Sequence, residues 1–96
     1  MSRRIERLRE AVETMHECTA QHIASDPVTE SFQGKIAWEG VVETFDLKGH
    51  PKAKRCYAWS FTENGEQRYT TVLEIPPVNS PDSAVKVVIA AREKAS

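Results

Sequence analysis

Cys18 and His22 lie four residues apart, a spacing that on a helix places two metal-ligating groups on one face. A metal ion needs a fuller set, and the further donors, His16, His50, Cys56 or a carboxylate, fall in no recognised ligand pattern. Cys18 is therefore expected at the edge of the core and His22 on the flank of the helix, with no metal and no cofactor. Cys56 follows Lys54 and Arg55, cationic neighbours of the kind that lower a thiol pKa. In a strand its side chain points away from Arg55, and no histidine is fixed beside it as a base, so nucleophilic catalysis is not expected. Glu39 and Glu43 are spaced to share one strand face. Acid-base work would require environments that separate their pKa values, and Glu43 is expected instead to be solvated or to face a basic residue.

The one single-sign cluster is Lys48, His50, Lys52, Lys54 and Arg55. It is a candidate contact for an anion, a nucleic acid or an acidic partner, although lysine-rich turns also serve to protect sheet edges. Tyr57, Trp59 and Phe61 alternate along a strand and could form a stacking platform for bases, with Lys54, Arg55 and Arg68 supplying charge. The expectation here is that they are core, because two amphipathic helices need a large apolar face to sit on.

The elements that must position these groups follow from pattern. The chain has 96 residues, 40% hydrophobic and 28% charged, which bounds it to a single domain, 1–96, of ordinary globular composition. Its net charge of −1 argues against a dedicated polyanion binder. The longest apolar stretch, Val87 to Ala91, is too short for a membrane span. Met1 to Arg4 lacks the apolar core of a signal peptide, so a cytoplasmic location without membrane attachment is expected. Two cysteines are too few for a disulfide framework, and both are expected to be reduced.

Ile5, Leu8, Val12, Met15, Thr19 and Ile23 recur at helical spacing, predicting a helix from about Arg3 to Ala24 that Asp26-Pro27 terminates. Phe32 to Leu47 reads as a long strand whose apolar parity changes near Gly40, which predicts a bulge at that glycine. Ser80-Pro81-Asp82 reads as an N-cap, a proline at the first helical position and an acid near the positive helix end. Ala84, Val88, Ala91 and Ala95 continue as a helical stripe, with Arg92 and Lys94 in the last turn. A strand through Val85, Val87 and Ile89 is the competing reading.

Between Lys52 and Ile75 two β-prone runs meet at Asn64-Gly65, a strong hairpin signal. A two-residue loop pairs Glu63 with Glu66 and mixes both faces of the sheet. A three-residue loop shifts every partner by one and gathers Tyr57, Trp59, Phe61, Tyr69 and Leu73 on one face. Since a small antiparallel sheet normally buries one face and wets the other, the three-residue loop is the expectation. The predicted fold is α+β: a two-layer α-β-β-β-α sandwich, a three-stranded antiparallel sheet with both helices on one face.

This order is similar to that of double-stranded-RNA-binding domains. The second helix opens with Ser80-Pro81-Asp82-Ser83-Ala84 and has only Lys86 nearby, where such domains place a basic cluster, so none of their contact residues carries over. With no catalytic motif, the leading expectation is a non-catalytic protein-interaction or self-associating module whose partner is another protein or a second copy. A nucleic-acid or anion-binding module using the Lys48–Arg55 cluster is the alternative. A small-ligand domain with a pocket lined by Met15, Trp38 and Trp59 is a third.

Overall fold

A computed structural model describes residues 3–95, with side chains to residue 92. Two helices and four strands follow one another as α1 (Arg3–His16), β1 (Thr19–Phe32), β2 (Lys35–Lys48), β3 (Arg55–Glu63), β4 (Glu66–Leu73) and α2 (Pro81–Ala95). The strands form one antiparallel sheet in the order β1-β2-β3-β4. The α+β class and the antiparallel sheet are as the pattern predicts, but the strands number four, not three.

The extra strand runs from Thr19, inside the segment read as the end of the first helix, to Phe32, where the long strand was expected to begin. Glu17 adopts φ 50°, a left-handed conformation that stops α1 after His16. Thr19 to Ala24 then pair with β2. Local helical spacing is overridden by sheet pairing, and Pro27 does not end an element. It sits within β1, opposite Val41, because an edge strand uses only one of its two rows of backbone donors. Gln33 (φ 53°) and Gly34 (φ 79°) turn the chain into β2. A glutamine in place of asparagine conceals that hairpin in the sequence.

The second hairpin has the two-residue loop. Asn64 (φ 52°) and Gly65 (φ 79°) form the turn and Glu63 pairs with Glu66, which corrects the three-residue expectation. Mirror-image turns of this kind match the right-handed twist of the strands they join. Both sheet faces are consequently mixed, and each is covered by its own helix. On one face α1 sets Ile5, Leu8 and Val12 against Ala20, Phe45, Leu47, Cys56, Ala58, Tyr69 and Leu73. On the other, α2 sets Ala84, Val85, Val88 and Ile89 against Val28, Trp38, Val42, Tyr57, Trp59, Phe61 and Val72. The layers are therefore helix, sheet, helix, not two layers with both helices on one face, and the topological likeness to double-stranded-RNA-binding domains goes with them.

The parity change in β2 has the same origin, since Trp38 and Val42 face α2 whereas Phe45 and Leu47 face α1. Gly40 lies in regular register opposite Val28, and the irregularities fall elsewhere, between His22 and Ala24 and between Glu30 and Ser31. What Gly40 provides is space. A Cβ there would stand 3.0 Å from the Trp38 ring, which meets Trp59 edge to face at a centroid distance of 5.3 Å.

Tyr57 and Trp59 are each 2% exposed, so they are core, as expected, and offer no stacking surface. Burial of side chains this large stabilises the fold by about 1.5–3 kcal/mol apiece. Arg92 caps the half-buried Phe61, its guanidinium 5.9 Å from the ring centre. The pocket expected from Met15, Trp38 and Trp59 does not form. Met15 lies on α1 and is 55% exposed, on the opposite side of the sheet from the tryptophans.

Helix α2 starts at Pro81 as read from Ser80-Pro81-Asp82. Ser80 Oγ accepts from the Ser83 backbone N–H (3.1 Å), and Ser83 Oγ accepts from the N–H groups of Asn79 and Ser80. Ala91 of the expected stripe is exposed, Val85 and Ile89 pack in its stead, and the side chains of Lys94 and Ala95 lie outside the described residues. No helix among the described residues is long and apolar enough to cross a membrane.

A Cβ on Gly65 would meet nothing within 4 Å, so substitution there probes backbone conformation alone. Gly65→Ala is expected to cost about 1 kcal/mol in urea unfolding, because alanine disfavours positive φ; an unchanged midpoint would show that the turn does not need its left-handed residue.

Candidate functional site

The two hairpins meet along a short seam in which Glu43, Thr44, Phe45 and Asp46 pair with Ala58, Tyr57, Cys56 and Arg55. Beyond it the hairpins part. Glu43 stands at the last rung, on the α1 face, and is 0% exposed. A carboxylate removed from water requires donors, and this one has three. Arg4 Nη2 of α1 donates to Oε2 at 2.9 Å and His22 Nε2 of β1 donates to Oε1 at 2.8 Å, while Ser25 Oγ donates to the same Oε1. Burial pushes the Glu43 carboxyl up, but the bonds from Ser25, His22 and Arg4, with the charge of Arg4, outweigh it and hold the group below its ordinary value.

His22 and Ser25 are three residues apart, and in an unbroken strand they would face opposite ways. The bulge at Ile23 brings both to Glu43, with His22 opposite Phe45 and Ser25 opposite Glu43. Serine, histidine and carboxylate together invite comparison with a nucleophile relay. In a relay the two ring nitrogens serve different partners. Here Ser25 Oγ lies 3.2 Å from the same Nε2 that meets Glu43, and its proton goes to the carboxylate. The cluster as disposed satisfies a buried charge.

Arg4 also borders a cavity of about 350 Å³ lined by Arg3, Arg4, Arg7, Ser60, Gln67 and Tyr69. These are donors from the first two turns of α1 and from the α1 face of β3 and β4, where Ser60 and Tyr69 are direct partners. Among the described residues Arg3 and Arg7 make no ion pair. By spacing alone Arg3 and Arg7 fall off the Ile5, Leu8 and Val12 stripe, on the flank of α1 that would face water. What could have marked them is position: three of the four arginines of α1 stand within its first five residues.

The predicted contact residues are dispersed at the other end of α1. Lys48 closes β2, Arg55 opens β3, and the turn between them carries His50, Lys52 and Lys54. His50 Nδ1 accepts from the backbone N–H groups of Lys52 and Ala53 at 3.0 Å each, so the ring shapes the turn. Arg55 pairs with Asp46 at 3.3 Å. Lys48, Lys54 and Arg55 line an open cavity of about 660 Å³ together with Asp46 and Glu74, which gives that cavity mixed charge. Lys52 is exposed outside that lining.

Cys18 and His22 do not share a helix face. His22 lies on β1 with Cys18 just before it, and four residues of strand span about 13 Å. No group of three or more His, Cys, Asp or Glu able to hold a metal occurs among the described residues. Burial raises the Cys56 thiol to about 12, beyond use as a nucleophile at neutral pH. Glu39 is exposed and accepts from Thr29, well apart in environment from Glu43. His16 bonds Thr71 Oγ1 at 2.8 Å, and burial followed by the nearby His50 lowers its pKa. Comparison with protein-family models, curated proteins and solved structures returns no match to this chain.

Because the folded state holds Glu43 below its ordinary value of 4.5, the stability it contributes is full above that pH and is lost as pH falls through the lower folded value. Glu43→Gln is expected to cost about 1–3 kcal/mol at pH 7, leaving donors unsatisfied, and to flatten the acid limb of stability against pH. Parallel acid limbs for the two proteins in urea titrations would contradict this role.

Proposed function

We propose that this chain is a non-catalytic, cytoplasmic self-associating module that pairs with a second copy of itself through the outer edge of β4. The observation that carries the reading is a contrast between the two sheet edges. The β1 edge is blunted by Pro27, by the neighbouring Asp26 and by the bulge at Ile23. The β4 edge has no proline and no bulge over its eight residues. With a two-residue loop, Glu63 and Glu66 form the first hydrogen-bonded pair, so Arg68, Thr70 and Val72 bond to β3. The N–H and C=O groups of Gln67, Tyr69 and Thr71 therefore point outward, while the Leu73 C=O is already taken by the Ile75 N–H at 2.9 Å. A regular row of this kind is a template for strand addition, and an antiparallel twofold pairing would join two four-stranded sheets into one of eight.

Against the alternative through Lys48, His50, Lys52, Lys54 and Arg55 stand the acids that share a cavity with Lys48, Lys54 and Arg55, the inward role of His50 and the ion pair of Arg55.

Sedimentation equilibrium is expected to show a concentration-dependent dimer. Thr71→Pro removes an outward N–H without touching the β3 ladder and should give a folded monomer by circular dichroism and sedimentation. Thr71→Val loses the bond to His16 but keeps the N–H and should remain dimeric. A strict monomer at high concentration, or a Thr71→Pro variant that still dimerises, overturns the reading.

A further inference from the structure

We infer that the cavity beneath the start of α1 is a binding site for the dianion of a phosphate monoester, held by Arg3, Arg4 and Arg7. The lining contains three guanidinium groups, a serine hydroxyl, a carboxamide and a phenol, and no carboxylate. A guanidinium fork matches the oxygens of a phosphoryl group two at a time. Glu43 already balances Arg4 from beneath, through Nη2 at 2.9 Å. Two positive charges, on Arg3 and Arg7, remain for the ligand, and they match a phosphate monoester at neutral pH better than a carboxylate of single charge.

Position is held from below. The Glu43 pair fixes where Arg4 sits and thereby the start of α1 over β3 and β4. Ser60 and Tyr69, side by side across the β3–β4 ladder, present neutral donors from the floor, and Gln67 extends the row. A volume of about 350 Å³ is at the small-ligand end of binding cavities.

The ligand is a phosphorylated small molecule, not a nucleic-acid strand. A strand would need a continuous track of bases, whereas the other basic group surrounds His50, which neighbours His16 at the far end of α1. Fourteen helical residues put about 20 Å between the two groups.

The site shares Gln67 and Tyr69 with the β4 edge but none of its arginines, so the arginine variants test it apart from self-association. Calorimetric titration of the full chain with inorganic phosphate and with phenyl phosphate is expected to show saturable binding at one site per chain. Binding should weaken below about pH 6, where the dianion takes up a proton. Arg3→Gln or Arg7→Gln, both exposed on the helix, should each weaken binding about tenfold. Ser60→Asp, which adds an acid to the floor, should abolish it, and Arg9→Gln, outside the lining, should leave it unchanged. No saturable binding of either phosphate, equal affinity for acetate, or full affinity in both arginine variants overturns the assignment. So does binding of single-stranded RNA by a chain that takes up neither phosphate.

Discussion

A single carboxylate, removed from water at the end of a four-rung seam, constrains much of the rest of this molecule. Stripping Glu43 of its hydration costs several kcal/mol unless donors replace the lost water. Those donors come from α1, in Arg4, and from β1, in His22 and Ser25. Satisfying them together requires a bulge at Ile23, so that two residues of opposite parity meet one partner, and a helix whose first turn brings Arg4 within reach of Glu43. The covalent order of the chain then matters. With α1 committed to that face, and the loop of the second hairpin turning every partner in β3 and β4, the opposite face is left apolar and α2 closes it.

The consequence for the core is a division of labour. Phe45, Leu47, Cys56 and Ala58 stand on one side of the sheet, and Tyr57, Trp59 and Val42 stand on the other. Neither helix is asked to cover all the large side chains. The aromatic face carrying Tyr57 and Trp59 is filled from within by α2 and by the Trp38–Trp59 contact. Chemistry that remains open to solvent is accordingly found away from the aromatics, at a strand edge and in a cation-lined cavity. The two differ in kind: one offers backbone hydrogen bonds without side-chain selectivity, the other offers charge.

Much of the fold was legible locally. The N-cap at Ser80, the proline that opens α2 and the turn at Asn64-Gly65 act through their own dihedrals and nearest neighbours, and they stand where the residue types put them. The first half of α1 was legible for the same reason, since Ile5, Leu8 and Val12 make a stripe that any partner would bury. Less was legible of the candidate site. Arg3, Arg4 and Arg7 look like an ordinary solvated flank until β3 and β4 are placed beneath them, and Glu43 looks like one acid among several along β2. Its burial depends on contacts 18 to 39 residues distant in sequence.

By itself the sequence determined which stretches can be helix, turn or strand, because those preferences are settled by side-chain sterics within a few bonds of the backbone. It also determined where α2 starts. The tertiary structure alone decided that Thr19 to Ala24 is strand, because pairing with β2 supplies a hydrogen-bond ladder that outweighs helical spacing. It decided that the helices take opposite faces, because a register differing by one residue exchanges every side chain between the two sides of a sheet. And it decided which charges matter, since the desolvation that makes Glu43 costly and the clustering that makes three arginines a site are properties of neighbours that only folding brings together.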